Sequence, residues 1–230
     1  MADRRPPAVP LAVAILLLAC LLRFPGLDRW PAPIHQDEAS NGVDAWSLAT
    51  TGADRAGRVW PVFLQGFGDG DNRTSLYALL MIPFVAGLGP GTAATRLPAA
   101  AVGAATVLAL FLFLRRIRGT GTAAWGAALL AVNPWHVALS RFGHEASLTP
   151  AFLVTALWLL APDREERPAS RARWAGAGIV LALGLYSYPS ARMFLPAVLA
   201  AAILLRAVPA GGSRRGILAA ALVAGALPLV

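Results

Sequence analysis

Three short stretches of the chain gather side chains that could do acid–base and anion chemistry. Asp37 and Glu38 stand together in Ile34-His35-Gln36-Asp37-Glu38-Ala39-Ser40-Asn41-Gly42. Arg141-Phe142-Gly143-His144-Glu145 sets a cation, an imidazole and an acid within one short connection. Tyr186-Ser187-Tyr188-Pro189-Ser190-Ala191-Arg192 places two phenols beside a guanidinium. A carboxylate held near a hydroxyl can take its proton, a contribution typically of about 10² to 10⁴-fold in rate. A guanidinium offers a planar fork of donors that suits phosphate.

Each stretch also has an ordinary reading. Asp37 and Glu38 fit the first turn of a helix, where Asp37 could cap and acids favour the positive end of the dipole. Arg141 and Glu145 could simply pair, and Tyr188 with Arg192 could be interfacial anchors. Asp37, Asn41 and Asp44 fall at i, i+4 and i+7, so a helix reaching about Thr50 would carry them on one face. Asn72-Arg73-Thr74 matches the glycosylation acceptor pattern, a match short enough to arise by chance.

The elements that must position these groups are read from composition. Hydrophobic residues make up 57% of the 230 residues, charged ones 14%, and mean hydropathy is +0.60. A soluble domain usually carries about a quarter charged residues. A helix needs about 20 apolar residues to cross the hydrocarbon core. Candidate spans run over about 7–22, 97–114, 123–139, 148–161, 174–188, 194–205 and from 217 to the end, which cuts the last one short. The expected fold is all-α, a polytopic membrane bundle of about seven spans. Its domains are a first transmembrane helix (1–22), a long outer loop (23–95) and the remaining bundle (96–230). Within the loop, residues 54–71 read as irregular with some strand character. Residues 74–87 read as an apolar interfacial helix broken near Pro83.

Charge supports one orientation. All 20 basic residues are arginine, and the net charge is +8. With the N-terminus inside and strict alternation, the inner segments hold 12 Arg and four acids, and the outer segments hold eight of each. The positive-inside rule selects this arrangement. The three chemical stretches then all lie outside. The Arg residues sit in short segments between apolar runs, with no basic groove of interleaved aromatics, so nucleic acid is excluded as a partner. Cys20 is the single cysteine, which excludes an intrachain disulfide or a cysteine metal cluster. A multi-pass transporter or lipid flippase is the rival class; it explains the spans but not the carboxylate pair in the long outer loop.

The order of these motifs resembles the N-terminal part of polyprenyl-phosphate-sugar-dependent glycosyltransferases of the GT-C type. The chain is similar to the dolichyl-phosphate-mannose protein mannosyltransferases and the aminoarabinose transferases. The resemblance rests on the first helix, the outer loop with Asp37-Glu38, Arg96-Leu97-Pro98, the Asn133-Pro134-Trp135-His136…Ser140-Arg141-Phe142…Glu145 stretch and the Tyr186-Ser187-Tyr188-Pro189…Arg192 turn. It implies a cell-membrane enzyme with a cytoplasmic N-terminus and an outward-facing site. The enzyme would move a sugar from a polyprenyl-phosphate donor to a hydroxyl of a glycan, lipid or protein, with inversion. It assigns catalysis to Asp37, with Glu38 beside it and Glu145 in a second acidic motif. Arg192, Arg141 and Tyr188 would hold the donor phosphate, and His144, Asn41 and Asp44 would support the acceptor or the site. Were a divalent metal ion used, Asp37 and Glu145 would hold it.

Overall fold

The computed structural model describes residues 7–68, 70–162 and 169–204, with side chains to residue 200. The seventh candidate span and the inner basic segments near 164 and 214 lie outside these residues. Among the described residues the chain is mostly helical. The helices are α1 (Ala8–Arg23), α2 (Gln36–Thr51), α3 (Leu76–Leu88), α4 (Thr92–Arg118), α5 (Thr120–Val132), α6 (Pro134–Ser140), α7 (Thr149–Leu160), α8 (Arg171–Ser187) and α9 (Ala191–Leu204). A 3-10 turn, Glu145–Leu148, leads into α7. Strands β1 (Phe63–Gln65) and β2 (Asn72–Thr74) pair antiparallel, with Leu64 opposite Arg73.

Apolar runs build the bundle around α4, which packs against α1, α2, α3, α5, α6 and α7. Ala123, Ala127 and Ala131 recur every fourth residue on α5 and are fully buried with Val107 and Phe111 of α4 and Ile15 and Ala19 of α1. Small side chains at that spacing let helices approach closely, the usual solution within a bilayer. The opposite faces stay apolar: Val9, Val13, Leu17 and Leu21 of α1, and Trp125, Leu129 and Val132 of α5, are exposed. Apolar stripes of this kind suit contact with lipid rather than water.

Length qualifies the span count. Among the described residues only α4, at 27 residues, is long and apolar enough to cross a membrane on its own. The expected span over 123–139 is two helices. Asn133 is extended (φ −60°, ψ 117°), Pro134 opens α6, and the Asn133 side chain accepts the His136 N–H at 2.9 Å. A residue before proline is pushed out of the helical region, which makes the break. The expected break at Pro83 does not occur. Helix α3 runs through Pro83, whose side is exposed, so the missing hydrogen bond falls away from the core. Helix α4 begins at Thr92, several residues earlier than the apolar run suggests, which places Arg96 inside the helix and fully buried.

Candidate active site

The site is assembled where the long segment after α1 meets the turn before α7 and the end of α8. Helix α2 starts on a capping box. His35 is the cap and accepts the Asp37 N–H at 3.2 Å, while Glu38 reaches back to the His35 N–H at 3.0 Å. Asp37 is therefore not the cap, contrary to the sequence reading. It occupies the second helical position, where its carboxylate is released from the backbone and its side chain is 32% exposed. Gly52 ends α2 at φ +73°, a left-handed conformation suited to glycine.

Glu38 faces the other way, into the protein, and is fully buried. Arg96 grips it in a two-pronged ion pair, Nε to Oε1 at 2.7 Å and Nη2 to Oε2 at 2.8 Å. The Gly143 N–H donates to Oε1 at 2.8 Å. With the His35 N–H, all of the roughly four acceptor directions of the carboxylate are used. Arg96 Nη1 donates to the carbonyls of Leu27 and Pro31. Burial alone would raise the Glu38 carboxyl, but the Arg96 bonds, the two backbone N–H groups and the Arg96 charge outweigh it and hold it below the usual range. This knot joins α2, α4, the segment after α1 and the 141–145 turn. Gly143 is required at the crossing: a Cβ there would lie 2.9 Å from the Thr95 carbonyl oxygen and 3.3 Å from Glu38 Oε1.

Arg141, Asn41 and Asp44 have similar work. Arg141 donates to the carbonyls of Leu22, Arg23, Pro25, Gly26 and Trp30, and so clamps the segment that follows α1. Its expected pairing with Glu145 is not formed. Buried Asn41 donates to the Gly143 carbonyl at 3.4 Å. Buried Asp44 pairs with Arg73 at 2.7 Å and accepts the Arg55 N–H at 3.2 Å. Arg55 also donates to the carbonyls of Gln65 and Gly66 and lies over the Phe67 ring. The hairpin is thus fastened to α2. On its other side Thr74 donates to the Ser187 carbonyl at 3.0 Å, and the Tyr186 hydroxyl bonds the Val62 carbonyl.

Between these fastenings lies a cavity of about 390 Å³. It is lined by Asp37, His144, Glu145, Tyr188 and Arg192, together with Phe63, Phe67, Asp71, Asn72 and Arg73 from the hairpin. Five of the residues singled out in the sequence therefore meet at one opening, while Glu38, Arg141, Asn41 and Asp44 stand behind its walls. Three acids, Asp37, Asp71 and Glu145, and two guanidiniums, Arg73 and Arg192, line the opening. The Arg192 side chain forms no ion pair or hydrogen bond among the described residues, and Arg73 Nε is buried without a hydrogen-bond partner. Arg73 was missed by the sequence reading because its stretch resembled a glycosylation acceptor. Four other arginines lie in the 23–95 segment, so nothing local set Arg73 apart. Among the described residues no group of three or more acid, His or Cys side chains is arranged to hold a metal ion, and His144 stands between Asp37 and Glu145.

A family model described as dolichyl-phosphate-mannose-protein mannosyltransferase matches residues 74–229. The match takes in Glu145, Tyr188 and Arg192 and begins after Asp37. No curated protein and no solved structure matches the chain.

Proposed function

Because the chain belongs to the dolichyl-phosphate-mannose-protein mannosyltransferase family, we propose that it transfers a glycosyl group from a polyprenyl-phosphate sugar to a hydroxyl acceptor at the outer membrane face, with Asp37 as the base. The observation that carries this reading is the cavity, where Asp37, a third exposed, shares an opening with two guanidiniums. A lipid-linked donor cannot leave the bilayer, so its phosphate–sugar bond must be met at the headgroup level. The acceptor oxygen attacks the anomeric carbon, and its proton passes to Asp37. The bond from that carbon to the phosphate oxygen breaks with its electron pair on the phosphate. Arg192, Arg73 and the Tyr188 hydroxyl stabilise that charge, since donors fixed before the reaction need no reorganisation during it. Displacement from the opposite face inverts the anomeric centre.

Glu145 is the second carboxylate of the cavity and the alternative base. The test is turnover by the full-length enzyme in membranes with a panel of polyprenyl-phosphate sugars. Asp37→Asn keeps the shape and removes the charge, and it is expected to lower kcat by at least about 10²-fold with insertion unchanged. Near-normal turnover by Asp37→Asn, together with loss in Glu145→Gln, would move the base to Glu145.

A further inference from the structure

We infer that His144 is a positioning residue that fixes which oxygen of Asp37 does the chemistry, an inference that rests on Asp37 being the base. Four rings form a row across the outer face: His35, Phe142, His144 and Tyr188. The His35 and Phe142 centroids are 5.5 Å apart, edge on. Phe142 and His144 stack at 5.6 Å with an 18° interplanar angle. His144 meets Tyr188 edge on at 5.4 Å. The row reaches from the start of α2, through the turn before α7, to the end of α8. The His144 ring is held further by its own backbone, because Nδ1 accepts the Ala146 N–H at 3.1 Å.

That restraint leaves Nε2 facing Asp37, 3.8 Å from Oδ2. His35 Nδ1 lies 3.3 Å from the same oxygen. Two imidazoles therefore flank Oδ2, and Oδ1 is left to receive a proton from the acceptor. On its other edge His144 Nδ1 stands 3.4 Å from Glu145 Oε2, so the ring lies between two of the three carboxylates that line the cavity. The 3.8 Å contact is long for a hydrogen bond, and with Nδ1 accepting the Ala146 N–H the ring carries its proton on Nε2, so the contact acts by shape and by that N–H dipole and requires the ring to be fixed, which the stacking supplies. His35 is the more exposed of the two imidazoles and His144 the more enclosed. The enclosed ring is the one that can set an orientation.

Two variants of the full-length enzyme separate positioning from structure. His144→Phe keeps a flat ring between Phe142 and Tyr188 but loses Nε2. His144→Gln gives up the stacking and restores a polar group toward Asp37. Misplacing a reacting group by a small distance can cost about 10²-fold. His144→Phe is expected to lower kcat by about ten- to a hundredfold with donor KM nearly unchanged, and His144→Gln to recover part of that loss. In an Asp37→Asn background, where turnover is already low, His144→Phe should cost nothing more. An equal loss from His144→Phe in both backgrounds, or a loss from both variants that follows the amount of inserted protein, would overturn the inference. Full activity of Asp37→Asn alone would instead remove the base assignment, whatever the His144 variants do.

Discussion

The knot around Glu38 and the cavity wall carrying Asp37 begin one residue apart on α2, and each treats its carboxylate differently. Adjacent helical positions point about 100° apart. That rotation sends Glu38 into full burial against Arg96 and leaves Asp37 a third exposed at an opening. The buried carboxylate has every acceptor direction filled by a charge or a backbone N–H, so it has nothing left to offer a substrate. The exposed one has its backbone bonded to His35 and its side chain touched only along one oxygen. Pairing fixes the first acid as structure; incomplete pairing keeps the second available for chemistry. The same division holds for the arginines: Arg96 and Arg141 are consumed by internal carbonyls and Glu38, while Arg192 keeps its donors.

The largest effect that could break this comparison is on folding. Removing one partner of a buried ion pair leaves an unpaired charge and typically costs about 3–5 kcal/mol. Arg96→Ala is expected to lower the melting temperature of the detergent-solubilised protein strongly, with Glu38→Gln intermediate and Asp37→Asn without effect. The measurement is the fraction of full-length protein surviving a heating series, read by size-exclusion chromatography. A melting shift for Asp37→Asn as large as that for Arg96→Ala would abolish the distinction between wall and knot.

Acid tests the same pair. The Glu38 carboxyl is held below its usual range in the folded protein. Asp54 is held low as well: burial would raise it, but the Arg58 backbone and side chain and the Ala56 N–H together lower it. For a lowered carboxyl the stabilisation is complete above its unfolded pKa, about 4. It is lost progressively as pH falls from there through the lower folded value, because over that window the unfolded chain binds the proton and the native state does not. The share of stability that these two carboxyls supply is therefore expected to be level from neutral pH to about pH 5 and to decline below it. Glu38→Gln should make the decline shallower, and an unchanged slope would mean that the knot contributes no pH-dependent stability.

A smaller effect is expected at the free cation. A charged hydrogen bond to phosphate contributes about 1.5–3 kcal/mol. Arg192→Ala should therefore lower kcat/KM for the lipid donor by roughly ten- to a hundredfold, without moving the melting temperature. A loss that follows the amount of inserted protein would return Arg192 to the role of an interfacial anchor.

Much of the helical content was legible as apolar runs, and Asp37, His144, Glu145, Tyr188 and Arg192, which line the cavity, stood out because polar groups beside such runs need a reason. The breaks were less so. Pro134 splits a run that hydropathy reads as one span, with Asn133 extended and capping α6, while Pro83 splits nothing; both prolines are exposed, so burial does not separate them. The knot was hidden because Glu38 and Arg96 are 58 residues apart, and no local spacing records such a pairing. Arg96 still left a sign. An arginine at the mouth of an apolar run is costly without a partner, and Glu38 is the nearest buried acid that can meet it. Arg141 gave a misleading sign, since its use of five backbone carbonyls in place of Glu145 depends on where the chain turns after α1.

The smallest effect, and the one that sharpens the comparison most, is expected at His35, the residue shared by both regions. Its side chain accepts the Asp37 N–H, its N–H is bound by Glu38, and its ring lies beside Asp37 Oδ2. Replacing a capping side chain with Ala typically costs about 0.5–2 kcal/mol. His35→Ala keeps the backbone N–H that Glu38 uses, so the knot should survive with only a slight fall in melting temperature. His35→Asn restores a side-chain cap without an imidazole, and it should recover the stability but not any activity that depends on the ring beside Asp37. If His35→Asn recovers both, His35 serves only to start α2, and the orientation of Asp37 rests on His144. If it recovers stability alone, both imidazoles that flank Oδ2 belong to the working side of the helix. Melting and kcat measured on the same preparations decide between these outcomes, because the first reads the knot and the second reads the wall.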